Sequence, residues 1–384
     1  MSGYTLRGTA VTPFELVSHG QVEIAGGRVL YVGPRKHPYG EVFDHGDDLI
    51  CPGLVDVHVH GGAGYDAMDE DPETMDGISR YLAAGGVTGF LATTQTAPRR
   101  ELLESVKRIA ETAESGLGGA RLLGLHLEGP YLSEERRGAQ HVDAIRTPDT
   151  EELGALHAAA GGLLRMVTLA PEVPGALEAI SWLADQGVVA SAGHTDADYD
   201  TALAAFGHGL SHVSHLYNGM RGLHHREPGI LGAALTDGRV SVELIADGHH
   251  VHSAALRLAA LCKGPAKTVL VSDSIKPAGL PDGEYTYRGR RMVLRDGLVR
   301  LHDGVIAGSS IRLNDAVRVM VEEAGFSVSE AVQMASHSPA RVLRLTPGKG
   351  RLAEGSDADV TIMDWGFNVK ETIVGGDTVY RSDT

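Results

Sequence analysis

The sequence predicts an α/β protein: a (β/α)8 TIM barrel joined to a small β-sandwich domain built from both chain ends. Three observations carry this reading. Short apolar runs alternate with helix-like stretches, eight units over roughly 290 residues, the size of such a barrel. The runs are almost unbroken in apolar character, as parallel strands covered on both faces must be. The two ends of the chain share a different pattern, β-branched runs punctuated by Gly-rich turns.

The strand candidates are residues 53–60, 87–94, 122–129, 165–172, 187–194, 210–218, 240–248 and 268–274. Helix-like segments follow at 72–86, 99–114, 150–162, 176–187 and 196–209, often starting beside Pro, Asp or Thr and stopping at Gly, as capping favours. The barrel is expected over 52–345, with 1–51 and 346–384 forming the β-sandwich and 278–305 an inserted hairpin. A doubly wound open sheet is the alternative. It calls for a Gly-rich phosphate loop after its first strand, and GGAGY after His60 imitates one only weakly.

Composition narrows the function. A formal net charge of −16 argues against a polyanion-binding surface such as a nucleic-acid interface, so an anionic ligand needs a local pocket. Two cysteines, Cys51 and Cys262, make no disulfide framework and fit a reducing compartment. No signal-peptide pattern and no apolar span of membrane length are visible, and a cytoplasmic protein is expected.

The active site of a (β/α)8 barrel lies at the C-terminal ends of its strands. There the first candidate strand carries His58 and His60, the third Glu128, the fifth His194, the sixth His215 and the eighth Asp273. His58 and His60 alternate on a strand and face the same way. Taken singly, each has an ordinary reading: Glu128 a capping carboxylate, His194 a helix neighbour, His215 a satisfied core histidine, Asp273 a cap. Together they are a set of imidazole and carboxylate groups on one rim, suited to zinc or iron(II).

At these residues the sequence resembles a known family. PGLVDVHVHGG is similar to the opening metal motif of the amidohydrolase superfamily. HLEGPYL, SAGHTDADYD, HLYNGMRGLHHREPG, LIADGHHVH and VSDSIKPAG follow in the order found in the N-acetylglucosamine-6-phosphate deacetylases of that superfamily. The resemblance covers about residues 52 to 355. It implies that Glu128, His194 and His215 are the principal metal ligands, His58 and His60 a second metal position, and Asp273 the catalytic aspartate. It implies substrate contacts at Asn218, Gly219, Arg226, His250, Ile306, Ala307 and Gly308. Twelve residues after the metal Glu, some members carry a histidine that helps hold the acetamido group. Here that place is Gln140, with His141 next to it. The resemblance further implies a homodimer in which Arg226 reaches the neighbouring subunit's site.

Elementary chemistry points the same way. An acetamide is a poor electrophile with a poor leaving group, and a divalent metal polarises its carbonyl and lowers the pKa of a bound water to about 7. A carboxylate on the eighth strand, Asp273, takes the water's proton and returns it to the departing amine. The planar guanidinium of Arg226 matches a phosphate; its local alternative is a surface pair with Glu227. The expected reaction is deacetylation of N-acetylglucosamine 6-phosphate with one or two divalent ions, zinc or iron. Alternatives are the N-acetylgalactosamine epimer, another amidohydrolase, or a scaffold without catalysis. Many amidohydrolases bridge two metals with a carboxylated Lys on the fourth strand. RMVTLAPE has no Lys, and Glu128 offers the bridge instead.

Overall fold

The computed structural model describes residues 3–12, 15–113 and 116–383. At its centre is a sheet of eight parallel strands: Leu54–Val59, Val87–Thr94, Arg121–Glu128, Leu164–Leu169, Val189–Ala192, His212–Val213, Ser241–Ile245 and Thr268–Val271. Each pairs with the next in chain order. The Asp273 N–H donates to the His58 carbonyl and the His60 N–H to the Ser274 carbonyl, both at 2.9 Å, which closes the eighth strand onto the first.

The helices expected between the strands are present as Thr74–Ala83, Arg99–Thr112, Thr150–Ala159, Ala176–Asp185 and Tyr199–Gly207. The segment read as helix over 99–114 ends at Thr112, and Glu114 lies outside the described residues. Their amphipathic spacing dictates how they dock. On Arg99–Thr112, Leu102, Val106 and Ile109 recur every three or four positions and are buried, while Glu104 and Lys107 face solvent. Asp149 caps one helix by accepting from the Glu151 and Glu152 N–H groups, and Asp198 caps another through Thr201. Phe90, Leu125, Leu127, Val167 and Leu244 of the strands share one core with Leu102, Leu153, Ile180 and Leu183 of the helices.

A second cluster gathers Val55, Val57, Leu91, Leu123, Met166, Val189, Ile245, Val269 and Val271, joined by Leu343. By the two-residue period, Leu91, Met166, Val189 and Ile245 share their face with Thr93, Thr168, Ser191 and Glu243. Barrel interiors are dominated by branched apolar residues; part of this one is polar. Its groups are linked: Ser191 Oγ to Ser214 Oγ at 2.7 Å, Ser214 Oγ to Thr168 Oγ1 at 2.8 Å, and Thr168 Oγ1 to His126 Nε2 at 2.7 Å.

The chain ends meet in one seven-stranded sheet. Its order is Asp377–Arg381, Val369–Val374, Val360–Met363, Glu41–Pro52, Tyr4–Val11, Leu16–Ala25, Arg28–Pro34. Leu6, Val22, Ile24 and Ile50 from one end share a core with Val360, Ile362 and Ile373 from the other, and the Tyr4 hydroxyl donates to the Gly376 carbonyl at 2.8 Å. The sheet seats on the barrel through the Gly53 N–H to the Asp359 carbonyl and the Thr361 and Thr372 hydroxyls to the Gly86 and Ala83 carbonyls.

One expectation needs correction. The insert over 278–305 is not a single hairpin but part of a four-stranded antiparallel sheet, Gly283–Tyr287, Arg290–Arg295, Leu298–Leu301 and Ile306–Ser309. The physical reason is three turns, at Gly289, Gly297 and Gly304, each with positive φ. No helix among the described residues is long and apolar enough to cross a membrane.

Candidate metal centre and active site

Glu128 ends the third strand, and four imidazoles surround it. Its Oε1 lies 2.9 Å from His215 Nε2, 3.1 Å from His194 Nε2 and 3.3 Å from His58 Nε2; its Oε2 lies 3.3 Å from His60 Nε2. Asp273 Oδ1 lies 3.5 Å from His60 Nε2 and 3.7 Å from His58 Nε2. His194, His215 and Asp273 each follow a strand end with positive φ, 49°, 31° and 47°. A residue with a Cβ is strained there, by about 1–3 kcal/mol each. The surrounding packing holds these turns where the side chains point back over the barrel mouth.

The same nitrogen of every ring faces the centre, because the other is engaged. Nδ1 of His60 donates to the Thr93 carbonyl at 3.2 Å, Nδ1 of His194 to the Arg136 carbonyl at 3.0 Å, and Nδ1 of His215 to the Asn218 carbonyl at 3.1 Å. Nδ1 of His58 donates to Glu243 Oε2 at 2.9 Å. Carbonyl and carboxylate oxygens only accept, so Nδ1 carries the proton and Nε2 is left to ligate.

This arrangement fits divalent metal. Two groups of donors, His58/His60/Asp273 and His58/Glu128/His215, each have their atoms within 4.8 Å of one another. His58 Nε2 is buried and lacks a hydrogen-bond partner of its own, an orphan that a metal would satisfy. The electrostatics agree. Burial opposes charge on Glu128, but the His58 and His194 rings outweigh it and hold the carboxyl well below its ordinary range. Burial likewise disfavours charge on His60, yet Asp273 and Glu128 push its pKa up to about 9. The oxygens demand positive charge at this point.

A cavity of about 300 Å³ opens above the cluster, at the small end of ligand sites. His60, Glu128, Gln140, His194, His215, Asn218, Gly219, His250, Asp273, Ile306, Ala307 and Gly308 line it, so most of the residues singled out in the sequence come together. His58 lies buried beneath. Gln140 is turned inward: its amide donates to Glu128 Oε2, and its carbonyl accepts the Thr96 N–H at 2.9 Å. His141 faces a neighbouring depression with Glu101, Asp143 and Arg288. Arg226 is exposed, its Nη1 against His225 Nε2 at 2.8 Å, and is not among the residues lining this cavity.

Residues 49–379 match the model of the amidohydrolase family. The chain belongs to the amidohydrolase family. It is 42% identical over 356 residues to N-acetylgalactosamine-6-phosphate deacetylase from Escherichia coli O157:H7, covering 93% of both chains. It is 40% identical over 378 residues to N-acetylglucosamine-6-phosphate deacetylase from Bacillus subtilis (strain 168), covering 97% of this chain and 96% of that one. Its fold is similar to that of a mutant N-acetyl-D-glucosamine-6-phosphate deacetylase from Mycobacterium smegmatis in complex with N-acetyl-D-glucosamine-6-phosphate. That comparison has a TM-score of 0.93 at 35% identity and covers 99% and 100% of the two chains.

The amidohydrolase also holds site residues that the sequence reading missed. Gln95 lines the cavity. Asp247 receives the His250 ring Nδ1–H at 2.6 Å and the backbone N–H groups of His249 and His250. Burial opposes charge on His250, but this carboxylate keeps its pKa raised. Arg136 grips Asp196, which also pairs with Arg221, pinning the loop that supplies the His194 carbonyl partner. Glu243 is fully buried beneath His58. The available signal was an isolated carboxylate in the apolar run VSVELI, which must be paired to be buried.

Proposed function

We propose that this amidohydrolase hydrolyses the acetamide of N-acetyl-D-glucosamine 6-phosphate, giving D-glucosamine 6-phosphate and acetate. The observation that carries the reading is the meeting, in one cavity, of a metal-fit donor cluster, Asp273, and the polar wall of Asn218, Gly219, His250 and residues 306–308. The relatives named above act on amino-sugar phosphates and supply the substrate class. The relative with 42% identity acts on the galactosamine epimer, which makes N-acetylgalactosamine 6-phosphate the second reading.

His58, His60, Glu128, His194 and His215 would hold one or two divalent ions, zinc or iron, with Glu128 facing both donor groups. When bound, a divalent ion polarises the acetamide carbonyl and acidifies a water. Asp273 takes the proton of the attacking water on its carboxylate and delivers it to the departing amine nitrogen. Gln140 holds Glu128 and, with Asn218, Gly219, His250 and residues 306–308, frames the sugar. The acidic surface leaves the 6-phosphate to a local cation. We assign that to Arg226 acting across a homodimer, since it stands outside the cavity of its own chain. The free Cys51 and Cys262 suit a reducing cytoplasm. The domain division 1–51, 52–345 and 346–384 is part of the same reading.

The test is acetate release by purified protein from both epimeric 6-phosphates and from unphosphorylated N-acetylglucosamine. A higher kcat/KM for the glucosamine 6-phosphate ester supports the assignment, and a higher value for the galactosamine ester replaces it with the second reading. Release from neither phosphate refutes both.

A further inference from the structure

Of the four imidazoles around Glu128, three are held by backbone carbonyls, those of Thr93, Arg136 and Asn218. Only the His58 ring is held by a side chain. That side chain, Glu243, sits mid-way along the seventh barrel strand, fully buried. Its Oε2 accepts the His58 Nδ1–H at 2.9 Å and also the backbone N–H of His215 at 3.0 Å. Its Oε1 faces His212 Nε2 at 3.0 Å, and the far nitrogen of that ring meets Ser241 Oγ at 2.8 Å. One oxygen therefore ties the ring of His58, which both donor groups share, to the backbone of His215, which belongs to the Glu128 group alone. His212 and Ser241 brace the other oxygen.

We infer that Glu243 is a positioning residue that fixes the His58 ring for metal binding and locks the two donor groups to each other. The inference rests on the metal-site reading above and goes beyond it by naming what makes the His58/His60 position usable. A ligand imidazole whose Nδ1–H meets a carboxylate is fixed in orientation and made a better donor, and loss of such a partner costs typically about 10–100-fold in metal affinity. Without Glu243 the His58 ring has no acceptor for Nδ1 and can turn Nε2 away from Glu128. His60, His194 and His215 keep their carbonyl partners. His58 serves both groups, but the Glu128 group still has Glu128, His194 and His215, whereas the other keeps only His60 and Asp273, so the loss falls more on the His58/His60 position.

The test uses the full chain as Glu243→Ala and Glu243→Gln, with Ser191→Ala as a control. Ser191→Ala removes a buried hydrogen bond from the same polar interior without touching His58. Zinc content is measured by elemental analysis at fixed free zinc, and the two dissociation constants by chelator competition. The His58 ring nitrogens are followed by 15N NMR in the zinc-free protein, and thermal melting checks folding. The expected wild type binds two ions. Glu243→Ala weakens one of them by about 10–100-fold and averages the His58 nitrogen signals. Glu243→Gln falls between, because its carbonyl still accepts from His58 and His215 but carries no charge. Ser191→Ala matches wild type. If Glu243→Ala does not fold, Glu243→Gln decides by the same measurements. Wild-type affinities and an unchanged His58 signal in a folded Glu243 variant overturn the inference alone. So does equal weakening of both ions, or the same loss in Ser191→Ala. A wild type that takes up no zinc overturns the metal-site reading and the inference with it.

Discussion

Gly219 offers a sharp perturbation of the centre that replaces no ligand. Its φ is +59°, and a Cβ built on it stands 2.9 Å from His194 Nδ1 and 3.2 Å from the Arg136 carbonyl oxygen. Those two atoms form the 3.0 Å hydrogen bond that orients His194, so Gly219→Ala places a methyl group against both partners. The left-handed backbone costs an alanine about 1–2 kcal/mol, and opening the hydrogen bond costs about 0.5–1.5 kcal/mol. The expected loss of stability is about 1.5–3.5 kcal/mol, read by urea unfolding in chelator so that metal does not contribute. The freed His194 should also weaken zinc binding by about 10–100-fold, read by chelator competition. Gly222→Ala is the control, since no atom lies within 4 Å of its Cβ and its φ is not positive. If Gly219→Ala matched that control in both stability and zinc affinity, the claim that this contact orients His194 would be wrong.

Three further outcomes are expected. Asp273→Asn should keep zinc and substrate binding while kcat falls by about 10²–10⁴, checked by metal analysis and single-turnover rates. Chelation should abolish activity and lower the melting temperature. Readdition of zinc or iron(II) should restore both, with metal content rising to two per chain and the His58/His60 position filling last. A ceiling of one per chain in excess metal would count against two positions. Arg226→Ala should raise KM for the phosphorylated sugar by about one to two orders of magnitude, as a charge-assisted contact of about 1.5–3 kcal/mol implies. It should barely alter turnover of the unphosphorylated sugar, and mixing it with Asp273→Asn subunits should regenerate competent sites if Arg226 acts across an interface.

Much of this was legible in the sequence for a physical reason. Strands covered on both faces must be apolar, so a polar residue at a strand end stands out, as Glu128, His194, His215 and Asp273 do. Choosing between Gln140 and His141 was beyond such a reading. Which of two neighbouring loop residues turns inward depends on distant partners, here the Thr96 N–H and the Glu128 carboxylate, which Gln140 satisfies together. Glu243 escaped because a lone carboxylate in an apolar run demands a partner without naming one; only the fold shows that His58, His212 and His215 converge there. The insert was underestimated because a hairpin needs one turn, and the segment makes three, at Gly289, Gly297 and Gly304.

The seven-stranded sheet has a consequence for how the molecule is made. Glu41–Pro52 pairs on one side with Tyr4–Val11, which leaves the ribosome before it, and on the other with Val360–Met363, which leaves only after the whole barrel has been made. Ile362 sits opposite Ile50, so joining them closes a loop of roughly 310 residues, at an entropic cost on the order of 5 kcal/mol. Until the final segment emerges, the edge from Leu49 to Pro52 stands open, a row of unpaired peptide groups beside side chains that are buried in the finished protein. A chain interrupted between Pro52 and Val360 would display that edge. Its exposure marks such a chain as unfinished and as a ready template for aggregation, and Val360–Met363 is the strand that conceals it.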